Sequence, residues 1–312
     1  MRSPICPITY EPVVAGERYS QKGLRLLSPQ LKNLKPLPLN AEELRVEARK
    51  RAHKISIQGV QIKLSAKLRP SAGLFEITDV GGRFILKPPH ELYPELPENE
   101  DLTMRLAKKV GIETPLHGLV YSREGSRTYF IRRFDRTTHK QKLPLEDFAQ
   151  LSGNTRNTKY DFSMERLVPI LDRHATFPLL ERRKLFARTI FNYLVGNEDM
   201  HLKNFSLISR EEKVELAPAY DFLNTTLVLG ADAEEIALPL CGKKRNLNRK
   251  ILIDYFALEK LALNKRDVEE ILNVFVKAKE EWKRLVGISF LSAAMKTSYL
   301  QIMENRRQRL QI

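Results

Sequence analysis

Residues 196–206 of this 312-residue chain read GNEDMHLKNFS, a cluster of acidic, amide and basic side chains. They directly follow a stretch in which Phe186, Ile190 and Leu194 repeat with helical spacing. Transfer of a phosphoryl group to a hydroxyl needs a carboxylate near the attacking oxygen and an amide or carboxylate on the metal, and a loop with Asp five residues before Asn supplies both. Asp199 and Asn204 have that spacing. A second carboxylate must hold magnesium against the nucleotide's phosphates, because Mg²⁺ is a hard ion bound by a few carboxylates plus phosphate oxygens. Asp221, in AYDF, is the candidate; a predicted hairpin of residues 205–208 and 214–216 would return it to the side of Asp199. Taken singly, Asp199, Asn204 and Asp221 are also ordinary turn formers. Together they favour a site.

Upstream, Lys87 ends the apolar run Phe84 to Leu86, where a strand lysine can reach the α and β phosphates of a nucleotide, and Glu100 on the following helix can pair with it. A surface Lys and Glu explain these two residues equally well in isolation. Their weight comes from the order Lys, Glu, Asp, Asn, Asp, which is the protein-kinase order. The segment Ser56-Ile-Gln-Gly-Val-Gln-Ile-Lys63 holds one glycine and matches neither a Walker A loop nor GxGxxG, so on its own it is a weak phosphate-binding signal. His201, inside the loop, reads as a hydrogen-bonding organiser rather than a proton carrier. Histidines 53, 90, 117, 139 and 174 show no ligand spacing, and Trp282 reads as core.

These residues need elements to position them. Residues 20–40, rich in Leu, Lys and Pro without clear period, read as an extended arm, and Asn40 with Glu42 and Glu43 behind it reads as a helix cap. Short β-rich runs follow from 55 to 135: 74–78 with 83–87, and 117–122 with 127–134, are expected hairpins. Between them, residues 97–110 carry Leu102, Leu106 and Val110 at helical spacing. From about 140 onward helices are expected over 144–151, 162–171, 179–195, 249–263, 265–286 and a last one ending near 309. The shift sets a lobe boundary near 136, giving a β-rich lobe over 1–136 and a helical lobe over 137–312, with a cleft expected at the junction.

Composition bounds the partners. A net charge of +15 attracts an anion, whether nucleotide, nucleic acid or acidic protein, and it concentrates in residues 49–54, 243–250 and 306–309. Two cysteines, Cys6 and Cys241, without paired spacing, suit a reducing compartment and argue against zinc. With no signal-type apolar segment and no run of roughly 18 apolar residues, the expectation is a cytoplasmic protein with no membrane partner.

The segments SIQGVQIKLS, RFILKPP, PENEDLTMRLAKKVGI, YFIRRFDR, LPLEDFAQLSG, GNEDMHLKNFSL and LAPAYDF resemble, in the same order, the HipA-type toxin kinases, and the short chain resembles their HipT type. The resemblance spans about residues 53–225. It implies an α+β, two-lobed protein-kinase-like fold that uses ATP and Mg²⁺, with Asp199 as catalytic base and Asn204 and Asp221 on the metal. It further implies Lys87 on the ATP phosphates, paired with Glu100, and Arg133, Phe134 and Asp135 at the adenine hinge. Gly59, Val60, Gln61 and Lys63 of the phosphate loop, with His201 and Lys203 of the catalytic loop, complete the implied nucleotide contacts. Ser56 is the implied autophosphorylation site. Implied partners are a HipS-like small antitoxin and a HipB-like DNA-binding protein, with DNA reached only through that complex, and the implied substrate is a tryptophanyl or glutamyl aminoacyl-tRNA synthetase. The chain departs from many relatives at Ile62, where they have Pro, and at Arg132, where they have Glu before the RFD. Two other classes stay open on the residues: a DNA-associated regulatory subunit, and a small-molecule kinase of the same fold.

Overall fold

A computed structural model describes residues 4–51, 62–137, 141–155, 157–230 and 234–312. The arm expected over 20–40 is partly helical: Ser20 caps α1 (Gln21–Leu27), its Oγ accepting from the Gly23 amide at 3.1 Å. Leu24, Leu27, Leu31, Leu34 and Leu37 are buried. Two helical turns hold too few apolar positions to display a period, which is why the sequence reads as irregular there. Asn40 does cap α2 (Ala41–Arg51), and reciprocally: the Glu43 amide donates to Asn40 Oδ1 at 2.8 Å and the Asn40 amide to Glu43 Oε2 at 2.9 Å.

The chain divides into two units, the first comprising Met1–Leu102, Pro115–Lys140 and Ile288–Leu291. Its sheet is antiparallel, built from β1 (Leu64–Arg69), β2 (Leu74–Ile77), β3 (Phe84–Lys87), β4 (His117–Tyr121) and β5 (Arg127–Arg132) in the order β2-β1-β3-β5-β4. The hairpin expected between 74–78 and 83–87 does not form. β1 lies between them, pairing β2 from Ala66↔Ile77 to Arg69↔Leu74 and β3 from Leu64↔Leu86 to Ala66↔Phe84. Ala, Lys and Arg give β1 a weak strand signal. Gly82 serves a close crossing instead of a turn, since a Cβ there would lie 1.9 Å from Ser65 Oγ. The expected second hairpin is present as β4 and β5. Phe75, Phe84 and Phe130 form the aromatic centre of this unit, with ring centroids 5.1 to 6.1 Å apart. α3 (Leu96–Lys109) follows β3.

The second unit comprises Thr103–Thr114, Gln141–Gly287 and Ser292–Ile312. Residues 144–151 are not one helix. Leu145–Asp147 is strand β6, at the edge of a sheet with β7 (Ser206–Arg210) and β8 (Lys213–Leu216), and only Phe148–Leu151 is helical, as α4, capped by Asp147. α5 (Leu167–His174), α6 (Pro178–Val195) and α7 (Thr226–Leu229) follow, then a π-helix over Lys250–Lys260, α8 (Lys265–Lys277), α9 (Lys279–Ile288) and α10 (Ala293–Leu310). The helix expected over 265–286 breaks at Ala278. Trp282 is core, 1% exposed, with its Nε1 donating to the Leu106 carbonyl at 3.1 Å. The basic tail is not a free face: Arg306 and Arg307 are buried, Arg306 lies over the Tyr193 ring, and Arg309 pairs with Glu235. Among the described residues no helix is long and apolar enough to cross a membrane.

Candidate active site

The polar loop begins where α6 ends. Gly196 stops the helix in the left-handed conformation, at φ 72°, and its carbonyl accepts from the Thr225 and Thr226 hydroxyls at 3.1 Å each. No side chain fits there: an added Cβ would lie 2.9 Å from both Asn224 Oδ1 and Thr226 Oγ1. From this anchor the loop is held by its own amides. Asn197 donates to Asn192 Oδ1 at 3.1 Å and accepts from the Asp199 amide at 3.2 Å. The Asp199 carbonyl accepts from the His201 amide at 2.9 Å and from Asn204 Nδ2 at 2.7 Å. Asp199 and Asn204, proposed from spacing, are therefore joined directly. The Asp199 side chain is half exposed, and its Oδ1 accepts from the Tyr160 hydroxyl at 2.6 Å.

His201 is buried and organises the loop. The Lys159 ammonium donates to its Nε2 at 2.8 Å, which assigns the ring proton to Nδ1. Burial holds its pKa below the usual value, the Lys159 charge adds to that, and the Asp199 and Asp221 carboxylates oppose it. Lys203 is partly exposed, with Nζ 4.0 Å from Asp147 Oδ2. Its carbonyl accepts from the Tyr220 hydroxyl at 3.0 Å, which ties the loop to the residue preceding Asp221. Asp221 itself adopts a left-handed backbone, φ 56°. The approach to it is pinned from α6: Arg188 donates to the Ala217 carbonyl at 2.6 Å, and Glu181 Oε2 accepts from the Leu216 amide at 2.8 Å. Burial pushes the Arg188 pKa down to about 10, against the nearby Glu181 and Glu113 charges.

Glu198 adjoins Asp199 but has no spacing signal of its own in the sequence. Both of its carboxylate oxygens are buried without a hydrogen-bond partner among the described residues. Burial, reinforced by Glu234 and Asp199 and opposed by Arg306, pushes its pKa up from 4.5 to about 7. Between those values the folded chain holds more of this proton than the unfolded chain, so stability falls as pH rises through that window. Glu198→Gln removes this dependence. Allowing for solvent screening, wild type should lose about 1 kcal/mol more than the variant on going from about pH 4.5 to about pH 7, as read from urea unfolding at the two pH values.

In the first unit Lys87 and Glu100 form an ion pair, 2% and 1% exposed, with Lys87 Nζ 5.5 Å from the Tyr129 ring centroid. Next to Glu100, Asp101 Oδ1 lies 3.1 Å from His117 Nδ1. After β5, Arg133 holds Asp135 through two bonds of 3.0 and 2.9 Å, and Arg136 adds a third at 2.7 Å. Burial would raise the Asp135 pKa, but these guanidinium groups outweigh it and hold the carboxyl below its usual range. Phe134 between them is partly exposed. The Arg132 departure has a local reason: its guanidinium donates to the Leu26 and Leu27 carbonyls at 2.8 Å each, satisfying the end of α1. Lys63 precedes β1 and is partly buried. Ser56, Gly59, Val60 and Gln61 lie outside the described residues.

The donors suit a magnesium ion that arrives with a nucleotide. Asn204 has its amide nitrogen committed to Asp199, which leaves the amide oxygen as a hard donor, and Asp221 supplies a carboxylate. Among the described residues no group of three or more His, Cys, Asp or Glu could hold a metal alone. For such an ion, phosphate oxygens and water would complete the shell.

Comparison with known proteins bears on the same segments. A proposed kinase of Haemophilus influenzae strain Rd is 32% identical over 320 residues, 92% of this chain and 91% of its own length. The serine/threonine-protein kinase toxin HipA of Shewanella oneidensis is 26% identical over 193 residues, covering 56% of this chain but only 44% of the toxin. Among solved structures, HipA of Shewanella oneidensis MR-1, in a complex with HipB and operator DNA, matches 96% of this chain and 80% of its own with a TM-score of 0.69 at 19% identity. The Helicobacter pylori proinflammatory kinase CtkA matches 82% of this chain and 91% of its own with a TM-score of 0.57 at 15% identity. At those identities the likeness establishes the fold, a mixed α/β fold of the HipA kinase type. A family model described as the HipA-like C-terminal domain matches residues 55–282. The chain thus belongs to the HipA family.

Proposed function

We propose that the protein is an ATP- and Mg²⁺-dependent Ser/Thr protein kinase acting as the toxin of a toxin–antitoxin system of the short HipT type. The observation that carries this is the hydrogen-bonded unit of Asp199 and Asn204, tied through Tyr220 to the segment bearing Asp221. In this reading Asp199 accepts the proton of the acceptor hydroxyl. Asn204 and Asp221 would hold Mg²⁺, which when bound neutralises charge on the transferring phosphoryl group. Lys87, fixed by Glu100, takes the nucleotide's phosphates, and Arg133, Phe134 and Asp135 take the hinge. Residues 1–136 are assigned to the nucleotide lobe and 137–312 to the catalytic lobe.

The acceptor is proposed to be an aminoacyl-tRNA synthetase of the tryptophanyl or glutamyl type, whose modification stops translation in the cytoplasm. A HipS-like antitoxin and a HipB-like DNA-binding protein are the proposed partners. Support for the second is that the matched Shewanella HipA was solved with HipB and operator DNA. Labelled ATP incubated with a cell lysate and either wild type or Asp199→Asn tests the reading. One labelled band, present only with wild type and identified by mass spectrometry, is expected.

Ser56 is proposed as the autophosphorylation site. A phosphoserine carries about −1.5 to −2 charges at neutral pH and would repel nucleotide from a phosphate-binding loop. Mass spectrometry should find phosphate on Ser56 in active protein and none in Asp199→Asn. Equal ATP affinity of phosphorylated and unphosphorylated forms would sink the regulatory part.

A further inference from the structure

The 2.6 Å bond from the Tyr160 hydroxyl to Asp199 Oδ1 is the contact that an acceptor hydroxyl must make with a general base. Tyr160 belongs to the stretch between α4 and α5 and is 40% exposed, so packing alone does not hold it in place. A small clasp does. The Lys159 carbonyl accepts from the Leu202 amide at 3.3 Å, and the Lys159 ammonium is bonded to His201. The Tyr160 ring stands edge-on to the His201 ring, centroids 5.0 Å apart. Lys159 and Lys244 lie 4.8 and 6.0 Å from the Tyr160 ring centroid.

We propose that Tyr160 is an internal pseudosubstrate: its hydroxyl occupies the acceptor position on Asp199 and must swing away before a substrate hydroxyl can bind. This rests on the reading of Asp199 as the base. One consequence follows from the bond itself: an acceptor must displace a charge-assisted hydrogen bond before it can reach Asp199. The side chain can leave without opening a core, because Tyr160 is 40% exposed and its hydroxyl bonds to a half-exposed carboxylate. An acceptor segment that also engages Lys159 or Lys244 would loosen the clasp as it arrived, coupling recognition to release.

The test uses water as the acceptor, so that no protein substrate is needed. Phosphate release from MgATP is measured for wild type, Tyr160→Phe, Asp199→Asn and the double variant across pH. Tyr160→Phe should release phosphate about tenfold faster, the ratio equivalent to one such hydrogen bond. It should leave the KM for ATP unchanged. A rate equal to or below that of wild type would overturn the proposal and leave Tyr160 as a residue that orients Asp199. Asp199→Asn should reduce release to background with or without Tyr160. Undiminished release by Asp199→Asn would instead defeat the base assignment, whatever Tyr160→Phe does.

Discussion

Asp199→Asn and Asp221→Asn should each lower phosphoryl transfer to a protein acceptor by about a thousandfold or more, the scale of a lost general base or metal carboxylate. Neither change should unfold the chain. The bonds that shape the loop go to the Asp199 carbonyl, so Asn at 199 keeps the His201 and Asn204 contacts. At 221 the backbone is left-handed, a conformation that Asn tolerates at least as well as Asp, so that substitution separates charge from geometry. Transfer of labelled phosphate, with thermal midpoints measured alongside, checks both. Full transfer by Asp199→Asn would remove it from the reaction. A large drop in midpoint would mean that the loss reports misfolding.

Removing Glu100 should have the largest effect on stability. Glu100→Leu takes the carboxylate of this ion pair away from an almost fully buried ammonium, a change that costs about 3–5 kcal/mol. Lys87→Met combined with Glu100→Leu removes both charges at similar volume and should recover most of that stability, since a well-packed apolar pair can replace a buried ion pair. Recovery of stability should not restore ATP binding, because the proposed phosphate contact is gone. Denaturant unfolding of both variants, together with nucleotide titration, distinguishes the two roles. Wild-type stability in Glu100→Leu would show that the pair is not structurally important.

The features legible in the sequence were those with a fixed spacing. Asp199 and Asn204 stand out because a carboxylate and an amide five residues apart are what phosphoryl transfer asks of one loop, and Lys87 stands out because it ends an apolar strand. Glu198 carries no such signal: nothing in GNED distinguishes a buried, unpartnered carboxylate from a solvated one. Tyr160 and Lys159 were also silent, since they meet the loop only through tertiary contact. The strand order was missed for a related reason. Register is written in alternation, but which strand inserts between two others depends on packing, here of Gly82 against Ser65.

Gly196 links two chemistries to one atom. Its carbonyl receives the hydroxyls of Thr225 and Thr226, downstream of Asp221, while its own chain leads into Asp199. An added Cβ would also come within 3.1 Å of Ile302 on α10. A side chain there would therefore shift the segment of Asp199, the segment of Asp221 and the last helix at once. On the proposed reading, mutants that escape growth inhibition should include changes at this codon, which would silence the protein as completely as loss of a charged residue, although Gly196 contributes no functional group of its own.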